Sequence, residues 1–409
     1  MYEILAIMAA FVFLYSIVSG GVERTPINGA LVFIAFGFAF GPVGLGYFSI
    51  NVDAEGLSTL AELTLALVLF TDAANADLGV LKKSFRIPQR LLLTGLPLTI
   101  LLGVGAGLLV FDGLTLLEIA ILATMLAPTD AALGAAVVSN ESVPAVIREG
   151  LNVESGLNDG ICVPILLLFI ALATGSGTEG GASMLALKLV TQAIGIGVAV
   201  GAGLTILGSW LLKRFADRGW ITETWRQVPV VALSLACYAM AQELGGSGFI
   251  ASFTGGLLFC GIAKRHKETL LLAARGTGDT LALITWVAFG AAVVGKSISQ
   301  LSWEVVLYAI LSLTIVRLLP VFLTLTGMNL RTDEKLFMGW FGPRGLASIV
   351  FAVIVLNEHL PGGGTITMTV VCTIVLSVIA HGLSANPLVA ALAARIKGSE
   401  NKSVADASC

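Results

Sequence analysis

The sequence predicts an all-α polytopic membrane protein with thirteen transmembrane helices. Three observations carry that reading. First, 56% of the 409 residues are hydrophobic and only 12% are charged, where a soluble domain is about one quarter charged; the mean hydropathy is +0.95. Second, the apolar residues fall in continuous runs of about 18–25, long enough to cross the hydrocarbon core as helix, and not in the alternating pattern of a β-barrel. Third, the basic residues alternate from loop to loop. Of 23 Lys and Arg, 19 lie in every second loop or at the C-terminus; only Lys188 and Lys296 lie on the opposite side, and Arg317 and Arg344 fall inside spans. The positive-inside rule then places the N-terminus outside and the C-terminus in the cytoplasm.

The spans run roughly over 4–20, 28–47, 56–73, 91–111, 117–138, 150–173, 184–212, 227–243, 246–262, 277–295, 302–327, 336–356 and 365–392. The first apolar run is read as a span and not as a cleaved leader, because no cleavage pattern follows it. Residues 1–395 form one transmembrane unit, and 396–409 are read as a short cytoplasmic tail with no regulatory domain after it. No basic tract points to nucleic acid. The five cysteines, Cys162, Cys237, Cys260, Cys372 and Cys409, have neither disulfide nor zinc spacing, and with three histidines, His266 among them in a basic loop, no cofactor is expected.

Thirteen spans permit two inverted six-helix repeats, spans 1–6 and 8–13, a plan common among secondary transporters. Corresponding members share a signature. Span 5 carries "LAPTDAALGAA" (Leu126–Ala136) and span 12 carries "FGPRGLAS" (Phe341–Ser348). Pro128 and Pro343 each lack an amide hydrogen and clash with the preceding turn, so spans 5 and 12 are expected to be interrupted. Paired interruptions in two halves mark a substrate site between them.

The stretch "GLNVESGLNDG" (Gly150–Gly160) sets carboxylates inside a span. On a helix Glu154 and Asn158 share one face, and Ser155 and Asp159 the neighbouring one. Asp159 lies about 13 Å from the start of span 6, near the midplane, at the depth of Thr129 and Asp130. A charge there costs at least about 2.5–3.5 kcal/mol, so each acid is expected to pair, face a cavity or bind a neutralising ion. Glu154 is expected to pair with Arg317, with Arg344 the other buried cation. Asp159 is then the acid without a fixed cation, able to hold a proton or a small hard cation among the oxygens of Thr129 and Ser155. Asp130 either caps an opened helix end or touches the ion. Asp72, at the cytoplasmic end of span 3, is read as part of a cation-attracting funnel, Glu62 as a satisfied buried acid, and the glycines of "GIGVAVGAG" (Gly195–Gly203) as packing positions.

"APTDAALG" followed by "NVESGLNDG", with "FGPRG" later, resembles the paired motifs of the monovalent cation:proton antiporters, in the NhaP/NHE branch. The resemblance covers essentially the whole membrane chain. It implies an NhaA-like fold and a homodimer. Spans 1–3 and 8–10 would largely form a dimerisation domain, spans 4–6 and 11–13 a mobile core, and span 7 a linker. It further implies that Asp159 carries the exchanged proton or cation, that Thr129, Asp130, Glu154 and Ser155 line the site, and that Glu154 and Asn158 brace it with Arg317 or Arg344. Asn158, where an electrogenic relative has a second aspartate, implies electroneutral exchange. The expected function is Na⁺/H⁺ antiport, with Li⁺ or K⁺ as possible cations, across a prokaryotic plasma membrane. K⁺(Na⁺)/H⁺ exchange at the same site is the alternative, and a cation channel or an intramembrane enzyme the remote ones. The "YD"/"GxGD" and "GxSG" motifs of intramembrane proteases are absent, and His381, the histidine inside a span, has no evident link to Ser155.

Overall fold

The computed structural model describes residues 2–22, 25, 29–48, 55–75, 86–130, 133–138, 140–175, 182–262, 267–294 and 301–407. Among them every regular element is helical. In chain order these are α1 (Tyr2–Val22), α2 (Gly29–Phe40), α3 (Glu55–Asn75), α4 (Arg86–Val110, with a π-helical turn at Leu91–Gly95), α5a (Leu116–Met125), α5b (Ala135–Val138), α6 (Ala145–Gly175) and α7 (Ala182–Ala216). There follow α8 (Val228–Glu243), α9 (Gly248–Ile262), α10 (Lys267–Phe289), α11a (Trp303–Leu313), α11b (Ile315–Thr324), α12a (Thr332–Trp340), α12b (Leu346–Asn357) and α13 (Gly363–Ala407). Among the described residues six helices are long and apolar enough to cross a membrane, and four shorter ones are also apolar.

The helices pack in two groups. α3 lies against α8, α9 and α10, α2 lies against α10, and α7 against α8 and α9. In the second group α4, α5a, α6, α11, α12 and α13 pack on one another. The groups meet where α6 touches α3, α7 and α9, and where α12b touches α3. Glycines allow the close approaches. A Cβ on Gly201 would stand 2.2 Å from the Ala251 carbonyl oxygen, and one on Gly197 2.7 Å from that of Ser247, so these two glycines, four apart on α7, let α9 touch its backbone. Gly195 and Gly203 of the same motif face open space.

Spans 5 and 12 are both interrupted, at residues 126–130 and 133–134 and at residues 341–345. Span 11 also breaks, at Thr314 (φ −110°, ψ −97°), where neither glycine nor proline announces it. Conversely, Pro164, Pro320 and Pro387 lie inside continuous helices. α13 continues to Ala407, so much of the expected tail extends this helix. The start of α5a is set by a capping box: Thr115 Oγ1 accepts from the Glu118 amide, and Glu118 Oε2 accepts from the Thr115 amide at 2.9 Å. The second Glu118 oxygen accepts from the Gly362 amide at 2.6 Å, tying α5a to the entry of α13. The loop residues Arg24, Lys82, Lys83, Lys264, Arg265, His266 and Lys296, and Cys409, lie outside the described residues.

Gly201→Ala is expected to force α7 and α9 apart and to lower the melting temperature, at an overpacking cost of about 1–3 kcal/mol. Gly203→Ala, with no neighbour to strike, should leave it unchanged or slightly higher. Thermal unfolding of the two variants in detergent checks the pair.

Candidate functional site

The two interruptions lie against each other. Pro128 removes an amide donor and biases Ala127 away from helix, so the last carbonyls of α5a turn out of their ladder. They are met from span 12. Ser348 Oγ donates to the Met125 carbonyl at 2.8 Å, and Arg344 Nη1 donates to the carbonyls of Ala127 at 2.7 Å and Pro128 at 3.0 Å. Arg344 Nη2 reaches the Ser312 carbonyl beside the α11 break at 3.5 Å. The reverse service comes from span 5. Asp130 Oδ2 accepts from the Leu346 amide at 3.0 Å at the start of α12b, and its Oδ1 accepts from Leu133 at 3.2 Å. The Asp130 amide donates to the Pro343 carbonyl at 2.8 Å. A cation thus sits at a helix C-terminus and an anion at a helix N-terminus, each matching the local dipole.

The glycines of "FGPRG" are spaces. A Cβ on Gly345 would lie 1.9 Å from Asp130 Oδ2, and one on Gly342 2.6 Å from Arg317 Nε and 3.0 Å from the Thr129 methyl.

α6 passes beside this crossing with its polar face inward. Glu154 and Arg317, both 2% exposed, form a bidentate pair: Nη1 to Oε1 is 2.6 Å and Nη2 to Oε2 is 2.8 Å. That geometry is the strongest a guanidinium and a carboxylate make, and Arg344, occupied by carbonyls, is not the partner. One turn on, Asn158 Nδ2 donates to Thr129 Oγ1 at 2.8 Å, and Thr129 Oγ1 lies 2.8 Å from Ser155 Oγ. Asp159 is buried beside them. Among the described residues its Oδ1 has no hydrogen-bond partner, and neither has the buried Oδ1 of Asn158. The carboxylates of Asp130 and Asp72 lie within electrostatic reach of Asp159.

Asp72 stands one turn before the end of α3, half-buried. It faces α6, where a Cβ on Gly156 would be 3.7 Å from its own Cβ, so it borders the polar cluster directly. Its electrostatic neighbours include Asp279 and Arg275 of α10, and Arg275 hydrogen-bonds Asn75. Asp279 has a sequence signal, an acid at the start of an apolar run, that the sequence analysis does not use. Glu62 accepts a 2.6 Å hydrogen bond from the Tyr238 hydroxyl.

Such an arrangement has a definite chemistry. Among the described residues one buried carboxylate has an oxygen free of hydrogen bonds and no ion pair, and the Ser155 hydroxyl stands one helical turn before it. A proton or a hard, oxygen-seeking monovalent cation can neutralise it; among the described residues no three His, Cys, Asp or Glu side chains gather to hold a metal ion.

The profile of the family described as "Sodium/hydrogen exchanger, transmembrane" matches residues 7–391. The chain belongs to the sodium/hydrogen exchanger family. Among its relatives in that family are the K(+)/H(+) antiporter NhaP2 of Shewanella oneidensis, 24% identical over 88% of this chain and 62% of the relative, and the Na(+)/H(+) antiporter ApNhaP of Aphanothece halophytica, 26% identical over 90% of this chain and 70% of the relative. The chain therefore spans under two thirds of the length of the NhaP2 relative. In fold it is similar to the sodium proton antiporter MjNhaP1 from Methanocaldococcus jannaschii, with a TM-score of 0.74, 21% identity, and coverage of 93% of this chain and 100% of that one. The exchanger fold and the apolar helices make it a multi-pass membrane protein.

Two outcomes test the site's construction. Glu154→Gln leaves the Arg317 guanidinium buried without a counter-charge, so it should lower unfolding stability by about 3–5 kcal/mol, read as a fall in melting temperature. Gly345→Ala should disrupt the Asp130 cap and lower thermal stability as well, while Gly363→Ala, in open space, serves as the neutral control.

Proposed function

We propose that the protein is an electroneutral Na⁺/H⁺ antiporter that exchanges one cytoplasmic cation for one external proton by alternating access. The observation that carries the reading is the contrast between two acids of α6. Glu154 is fully committed to Arg317, whereas Asp159 is buried with an oxygen that accepts no hydrogen bond among the described residues.

In this reading deprotonated Asp159 takes the cation together with the oxygens of Thr129 and Ser155. Asp130, whose two oxygens also accept amides, adds negative charge and a further ligand. Asn158 holds the Thr129 hydroxyl in place. Glu154, Arg317 and Arg344 keep the site's walls neutral and fixed. Asp72 draws cations in from the cytoplasm. Carrying an empty carboxylate through the bilayer centre is too costly, so the site crosses only when loaded with a cation or a proton, and one is exchanged for the other. With asparagine at 158, a single titrating acid makes the exchange one for one.

The packing into two groups supports a division of labour. α4–α6 and α11–α13 are the moving core, α1–α3 and α8–α10 largely the dimerisation domain of a homodimer, and α7 the linker. We place the N-terminus outside and the C-terminus inside a prokaryotic plasma membrane. The relatives are named as antiporters, which supports transport over enzymatic chemistry. They are named for both cations, K⁺ in NhaP2 and Na⁺ in ApNhaP, so K⁺(Na⁺)/H⁺ exchange at the same site is the second reading.

Dissipation of a proton gradient in everted vesicles on addition of Na⁺, Li⁺ or K⁺ tests the proposal. Na⁺ and Li⁺ should collapse the gradient and K⁺ should not. Asp159→Asn should abolish the response while the protein still folds. Activity with K⁺ would move the assignment to the second reading, and a mutant that still exchanges would remove Asp159 as the carrier.

A further inference from the structure

Two glycines of α6, Gly156 and Gly160, flank Asp159 in sequence and, four residues apart, share one face of the helix. They meet the other helix group differently. A Cβ on Gly156 would stand 3.4 Å from the Asp72 carbonyl oxygen and 3.7 Å from the Asp72 Cβ, both on α3. A Cβ on Gly160 would fall on the Phe253 ring of α9, with Cε2 2.5 Å away and Cγ and Cδ2 closer still. That is far inside the carbon–carbon contact distance of about 3.5–4.0 Å. The missing side chain at 160 is therefore a notch, and the ring fills it. Along α6, Asp72 borders the polar cluster toward the start of the helix, and the aromatic ring borders it one turn further on.

Phe253 is held there by its own helix. Ala251 sets its carbonyl against Gly201 of α7. Ser252 Oγ donates to the Ser234 carbonyl of α8 at 3.4 Å. Gly256 lies against α3, where its Cβ would stand 2.9 Å from the Ala73 Cβ. α9 is thus fixed on three sides within its group, whereas it meets α6 over a much smaller patch. α6 is also weakened at this level, because Pro164 has no amide to give the Gly160 carbonyl. A ring resting on bare backbone has neither hydrogen bond nor charge pair to break. Shape and dispersion hold it, so the contact can be left and remade.

We propose that Phe253 is a positioning residue of the exchange: seated in the Gly160 notch, its ring holds the Asp159 segment of α6 in the position seen here, and it has to leave the notch for the site to reach the other face of the membrane. The proposal rests on the exchange reading.

The full chain carrying Gly160→Cys and Phe253→Cys tests it in everted vesicles. Phe253 Cγ is bonded to its own Cβ, so the two Cβ atoms at 160 and 253 come within about 4 Å, a separation that a disulfide spans. Oxidation should join the two cysteines, read by mass spectrometry of the linked peptides, and should abolish cation-dependent dissipation of the proton gradient; reduction should restore it. Neither single variant should respond to the oxidant, which separates the new bond from oxidation of native thiols. A ring that only fills space would leave exchange indifferent to the disulfide. Absence of the crosslink overturns the contact, and a crosslinked protein that exchanges as fast as the reduced one overturns the need for it to open. If the cysteine pair does not fold, Gly160→Ala decides: it should slow exchange, and Phe253→Ala added to it should restore the rate. Gly160→Ala equal to wild type, or a double variant no faster than the single one, overturns the proposal. A wild-type chain that moves no cation is a distinct result: the exchange reading then fails and takes this proposal with it, whether or not the crosslink forms.

Discussion

A helix broken inside a bilayer leaves carbonyls without donors at one end and amides without acceptors at the other, and hydrocarbon supplies neither. In this chain the breaks of spans 5 and 12 are set against each other so that each completes the other. Arg344 and Ser348 from span 12 satisfy the carbonyls of Met125, Ala127 and Pro128, and Asp130 from span 5 satisfies the amide of Leu346. Everything polar nearby is arranged around that exchange. The glycines at 342 and 345 exist because Arg317, Thr129 and Asp130 occupy the space a side chain would take. Ser377 and His381 reach in from α13 to hold the break's two edges.

This constraint sorts the buried charges. Arg344 is spent on carbonyls and Asp130 on amides. Arg317 and Glu154 cancel each other in a bidentate pair too well enclosed to exchange partners readily. What is left is Asp159, one turn after Ser155 on α6 and within reach of two further acids. A buried acid without an ion pair among the described residues is costly for stability, and a cost of that kind is expected at a working site and not in a structural core.

Much of the architecture is legible in the sequence, because bilayer thickness and the missing amide of proline act locally. Run length outlines the helices, and Pro128 and Pro343, each beside polar and small residues, mark the interruptions. What tertiary context decides is harder to read. Pro164, Pro320 and Pro387 do not end their helices, while Thr314 breaks one without proline or glycine. Arg317 and Arg344 look alike in sequence, both single arginines in apolar runs; their different partners follow from which one stands at the open end of α5a. Gly197 and Gly201 contact α9 while Gly195 and Gly203 do not, a difference of helix face that spacing alone leaves undecided. Asp72 reads as interfacial from its place near a span end, yet α3 runs far enough alongside α6 to set it against Gly156.

The central claim is that proton and cation compete for Asp159. Calorimetric titration of the purified protein with Na⁺, repeated in buffers of different ionisation enthalpy, counts protons released on binding. The account predicts one proton released per cation bound, with both binding and release lost in Asp159→Asn. Cation binding that releases no proton, or a release that survives the substitution, would contradict it.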